Sequence, residues 1–357
     1  MSKLLFFIAL FFAGLAFSQE AVDTTKIRQI YDQYRAGYAA LEAAHGHYIN
    51  TPNVRMHYMT WGNKKDLPLV WVHGTYSNAY ELYEIADSLV AKGFYVIAPE
   101  YYGHGLTPVP QKEVSLYHVA DDVQALLKEL GIKKAVIGGW SRGGSVCTAF
   151  YDAYPAMVLG IVLEDGGSVA WNYHHHRSAM DSVKKNFDRT FANWKVSSQS
   201  SEFLLFAELY PRLKNYPAPA VDRWCYTNLS RWKKDAGGGY SANPQVRQLA
   251  CQENAEQMMA MIYRPMAASN LFGASASLQY PKIIYRNLSV PLLILDPVSE
   301  EDEFDATAEN RALQQAHPQW IVHKIYANTG HAVKLEHPAE FLNDLLEFKK
   351  KIQARGK

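Results

Sequence analysis

The sequence predicts an α/β fold: a mainly parallel sheet with helices on both faces. Two observations carry this. Short, continuously apolar runs such as Leu69-Val70-Trp71-Val72 and Ala135-Val136-Ile137 read as strands buried on both sides, and helical segments separate them at regular spacing. The chain of 357 residues is also 48% hydrophobic and 20% charged, enough apolar material for a large core.

Residues 1–18 read as a signal peptide. Lys3 precedes an apolar stretch over residues 4–17, too short to span a bilayer. Ala16-Phe17-Ser18 places small residues three and one positions before Gln19, so cleavage is expected after Ser18. No cysteine follows that run to accept a lipid. The mature protein is expected to be exported, periplasmic or secreted, with no stable membrane span. Without Lys3 the basic and acidic side chains balance at 35 each. That balance offers nothing to a phosphate backbone and argues against a nucleic-acid partner.

Residues 19–45 form an N-terminal helical extension, with Ile27, Ile30, Tyr31, Tyr34, Tyr38 and Leu41 on one side. The first part of the core runs over residues 46–167. It opens with extended runs at 46–50 and 54–60, parted by Pro52-Asn53. Strands follow at 69–72, 94–98, 135–137 and 159–163. Between them lie helices at 83–91, 117–130 and 143–153, the first two closed by Gly93 and Gly131. The alternation stops over residues 168–288, where the pattern is helical, aromatic-rich and broken by Pro217, Pro219 and Gly237-Gly238-Gly239. It resumes over residues 289–357 with strands at 291–295 and 321–326 and helices at 306–316 and 338–352. The middle block is therefore an insertion between two strands of one sheet.

The chemistry gathers at three strand ends. Gly139-Trp140-Ser141-Arg142-Gly143 joins a buried strand directly to a small-residue helix. It matches the G-x-S-x-G turn that holds a serine at its strained apex. His73-Gly74-Thr75 follows the strand 69–72. The backbone amides of Thr75 and Arg142 are candidate donors to the oxyanion of a tetrahedral intermediate. Asn328-Thr329-Gly330-His331 follows the last strand. A serine hydroxyl attacks only when a neighbouring base takes its proton, and an imidazole suits that task near neutral pH. His331 is the one among 13 histidines that follows a late strand with glycine before it.

Taken together, the strand with its His-Gly turn, the Pro99-to-Thr107 loop, the serine turn and the late Asn-Thr-Gly-His resemble the α/β-hydrolase superfamily. The likeness covers roughly residues 54–167 and 289–352. It implies the α/β-hydrolase fold, with the insertion as a mostly helical cap over the active site. It also implies a serine hydrolase cleaving a carboxylic ester or related acyl bond, with Ser141 as nucleophile and His331 as general base. A peptidase, an amidase or a carbon–carbon bond hydrolase of the same fold is the alternative, followed by a non-catalytic binding protein. A serine at position 141 argues against dehalogenases and epoxide hydrolases, whose nucleophile is an aspartate. Glu100 stands where such proteins often carry aspartate, a position that usually orders a loop. The family's acid commonly follows the strand after the cap, which points to Asp302. Glu300, Asp296 and Asp165, the last after the preceding strand, remain open.

No cofactor is expected. His174-His175-His176 is not read as a metal site, since adjacent residues seldom converge on one ion and no carboxylate or cysteine spacing supports one. Of three cysteines, Cys147 reads as a core residue. Export permits a disulfide between Cys225 and Cys251, which would tie the cap together.

Overall fold

In the computed structural model, residues 24–75, 77–170, 197–234, 237–242, 275–276, 279–300 and 305–355 are described. Eight strands form one sheet: β1 (Gly46–Asn50), β2 (Arg55–Trp61), β3 (Leu67–Val72), β4 (Phe94–Pro99), β5 (Ala135–Trp140), β6 (Val158–Glu164), β9 (Leu292–Val298) and β10 (Ile321–Ala327). Their order is β1-β2-β4-β3-β5-β6-β9-β10. β2 pairs antiparallel with β1 and β4; β4 through β10 pair parallel. Strands β7 (Ser197–Gln199) and β8 (Tyr240–Ala242) form a separate ribbon inside the insertion.

The alternation of side chains along the central strands explains the layers. Val70 and Val72 join Ile137, Ile161 and Leu163 in a core cluster with Leu116, Val119, Val123 and Phe150. Those partners lie on helices α3 (Leu116–Glu129) and α4 (Arg142–Ala153). Leu69 and Trp71 point the other way, into a second cluster with Val136, Val162, Leu89, Phe341, Leu345 and Phe348. Leu89 belongs to α2 (Ala86–Ala91). The period of two in each strand therefore builds both layers at once.

A third cluster is unforeseen. Helix α1 (Thr24–His45) sends Ile27 into a core with Leu205, Phe206, Leu209, Trp224, Cys225 and Leu229. These come from the inserted helices α5 (Glu202–Leu209) and α6 (Ala218–Leu229). Tyr31 donates to Glu202 at 2.8 Å and Tyr34 to Asp222 at 2.7 Å. At its far end, α1 brings Glu42 to the core: His57 Nε2 donates to it at 3.1 Å and Tyr80 at 2.6 Å. The N-terminal helix thus straps the insertion to the sheet. The insertion is also fixed directly, because Asn78 donates to the Thr227 carbonyl and to Ser230, and Arg223 pairs with Glu84.

Cys225, expected to bridge to Cys251, is fully buried in this third cluster and is a free thiol among the described residues. The expectation assumed an insertion without a core of its own, yet α1 completes one. Cys251 itself lies outside the described residues, as do the leader 1–18 and His174-His175-His176. The last helices are α7 (Thr307–Ala316), α8 (Val333–Glu336) and α9 (Pro338–Arg355).

Candidate active site

Four strand ends meet at the carboxyl edge of the sheet. β5 is central there, with β3 on one side and β6 on the other. Beyond Trp140 the chain turns at Ser141 with φ 54° and ψ −121° and enters α4 at Arg142. Positive φ is unfavourable for any residue with a Cβ, so the surroundings must hold it. They do so by close approach: a Cβ at Gly143 would lie 2.0 Å from the Val72 carbonyl oxygen, and one at Gly166 would lie 2.1 Å from that of Ser141. Only glycine fits either place. Among the described residues, three non-glycine residues have positive φ: Ser141, Asp165 and Asn328. Each sits one residue past the end of a strand at this edge.

Asp165 is the first residue after β6, one strand away from Ser141, and its amide donates to Leu295 of β9. Its carboxylate accepts from His331 Nδ1 at 2.5 Å. A carboxylate on Nδ1 fixes the imidazole tautomer and leaves Nε2 as the nitrogen for proton transfer. The His331 loop is pinned to the serine turn through Trp140, whose indole donates to the His331 carbonyl at 2.6 Å. The two rings lie 4.9 Å apart. The imidazole itself is 48% solvent-exposed and Asp165 12%, so the ring is reachable while its carboxylate partner is sheltered.

The structure therefore pairs His331 with Asp165, the last of the four acids left open by the sequence, next to the turn that carries Ser141. Asp302 lies outside the described residues. Asp296 is committed elsewhere: both it and His323 are buried, and His323 Nε2 donates to it at 2.6 Å. A sequence signal for Asp165 existed in Glu164-Asp165-Gly166-Gly167, an acidic pair and two glycines ending an apolar strand. The glycines let that end lie against the serine turn.

On the β3 side, the Gly74 amide donates to Glu81 at 3.2 Å, and the next amide, Thr75, is the turn's candidate donor. The Arg142 guanidinium donates to the Thr75 hydroxyl at 3.0 Å, tying the turn to the first residue of α4. The Arg142 amide lies at that helix's positive end. His73 is buried, donates to the Gly74 carbonyl and stacks on Tyr101 at 4.3 Å. Burial lowers its pKa, so it stays neutral and shapes the turn. Glu100 is buried and accepts from the amides of Leu106 and Ala79, ordering the loop after β4 as its position implied. Among the described residues no group of His, Cys, Asp and Glu could hold a metal ion.

Sheet order and serine turn define an α/β hydrolase. The family model for the alpha/beta hydrolase fold matches residues 68–338, and the chain belongs to that family. Curated relatives match a shorter region. Protein ABHD8 of Homo sapiens is 32% identical over 108 residues, 30% of this chain and 25% of its own. A soluble epoxide hydrolase of Corynebacterium sp. (strain C12) is 40% identical over 100 residues, 28% of this chain and 33% of its own. The chain thus spans a quarter to a third of the length of these relatives. A thermophilic esterase from Thermogutta terrifontis superposes with TM-score 0.55 at 20% identity, covering 86% of this chain and 98% of that one. At such identity the likeness concerns the fold.

Proposed function

We propose that the protein is an exported serine hydrolase that cleaves a carboxylic ester, or a related acyl bond, through an acyl-enzyme. The observation that carries this reading is the 2.5 Å bond from His331 to Asp165, made beside a strained serine at the carboxyl edge of the sheet. In this reading the Ser141 hydroxyl attacks the acyl carbon while His331 Nε2 takes its proton. The amides of Thr75 and Arg142 receive the charge that develops on the carbonyl oxygen. His331 then protonates the departing alcohol, and water, activated by the same imidazole, frees the acid. Asp165, rather than Asp302, holds the imidazole and stabilises its charged form. Residues 168–288 serve as the cap that shapes the acyl-binding space. Export rests on the leader at residues 1–18, and no described helix is long and apolar enough to cross a membrane.

The test is turnover by the mature chain, residues 19–357, on matched aryl esters, aryl amides and aryl peptides. The proposal expects ester cleavage with a burst of the first product, the kinetic mark of an acyl-enzyme. Cleavage of peptides or amides with esters untouched would move the assignment to a peptidase.

A further inference from the structure

Behind the site lies a buried charged group that the reaction itself does not use. Lys334, Glu164 and Glu81 are 0%, 0% and 1% exposed. The Lys334 ammonium lies 3.1 Å from Glu164 Oε2 and 3.5 Å from Glu81 Oε1. The Lys334 amide donates to Glu164 Oε1 at 2.8 Å. Glu81 also accepts from Trp71 Nε1 at 2.8 Å and from the Gly74 amide. The ammonium sits 4.1 Å above the ring of Trp140, the residue whose indole holds the His331 carbonyl.

Each partner adjoins a working residue. Glu164 precedes Asp165, Trp140 precedes Ser141, Glu81 holds the turn before Thr75, and Lys334 follows His331 by three residues. We propose that Lys334 is a positioning residue, whose buried ammonium locks the loops of base, acid and oxyanion turn into one register. This rests on the reading of Ser141, His331 and Asp165 as a triad and adds a residue that sets their mutual placement. The physical reason is that a buried cation between two carboxylates resists displacement, because moving it would leave charges unpaired away from water. Reacting groups misplaced by about 1 Å can lose on the order of 100-fold in rate.

The experiment compares the wild type with Glu164→Gln and with the double variant Lys334→Met/Glu164→Gln, which removes the cation without stranding that carboxylate. Thermal melting, kcat, KM and the rate of fluorophosphonate labelling at Ser141 are read for each. The double variant should melt cooperatively and keep its KM, while kcat and labelling rate both fall by about 100-fold; Glu164→Gln should fall less in both. A folded double variant with kcat and labelling near wild type overturns the positioning role. So does a fall in kcat matched only by a rise in KM. If the double variant does not fold, Glu164→Gln decides on the same readouts. Labelling absent from the wild type overturns the triad reading, and the positioning role with it; a labelled wild type confines any failure to Lys334.

Discussion

Ser141, Asp165 and Asn328 show what the site asks of single residues. Each holds positive φ one residue beyond a strand, a conformation that costs on the order of 1–3 kcal/mol and persists only where packing enforces it. The serine turn and the late His331 were legible in the sequence because a glycine-bounded turn and a late Gly-His carry their own local signals. The carboxylate that His331 meets was not. The strand after the insertion ends in a run of carboxylates, and only the fold shows that Asp296 is already bound by His323 while Asp165 faces His331. Replacing Asp165 by Asn should lower kcat by about 10⁴-fold with little change in melting temperature, since it leaves the imidazole in the wrong tautomer. Asp302→Asn should stay within about tenfold of wild type on the same scale. Steady-state kinetics on one ester checks both, and the reverse ranking would return the role to Asp302.

At the scale of elements, the α/β alternation was readable almost residue by residue, because buried parallel strands leave continuous apolar runs. The role of α1 was not. Its tyrosines looked like an apolar stripe, whereas Tyr31 and Tyr34 use their hydroxyls to grip the inserted helices and Glu42 grips the core. Glu42→Gln should cost about 1–3 kcal/mol of stability, the range for a hydrogen bond to a charged partner. Denaturant unfolding measures it, and an unchanged midpoint would mean that α1 is merely laid on the surface. The free, buried thiol of Cys225 bears on the same element. Alkylation in denaturant without prior reduction should modify Cys225, and reductant should leave KM unchanged, because the third core holds the insertion without a bridge.

For the whole molecule, the most informative charge is buried near the middle of the sheet's antiparallel end. Burial works against a charged His57, but Glu100 and Glu42 on its two ring nitrogens outweigh that and raise its pKa to about 10. A group held above its unfolded value near 6.5 stabilises the fold fully below that pH, and the gain disappears as pH rises through 10. Melting temperature should therefore fall from pH 7 to 10, and the fall should be shallower in His57→Gln; equal slopes would mean that His57 is not charged in the native state. At the carboxyl edge of the sheet, the proposed nucleophile Ser141 lies on the turn beside the His331–Asp165 pair. The measurement that tests this most directly is covalent: the mature protein is treated with a fluorophosphonate, and the adduct is mapped by peptide mass spectrometry. The account predicts a single adduct on Ser141, absent in Ser141→Ala and slowed in Asp165→Asn. No adduct on the wild type, or one that persists in Ser141→Ala, would contradict it.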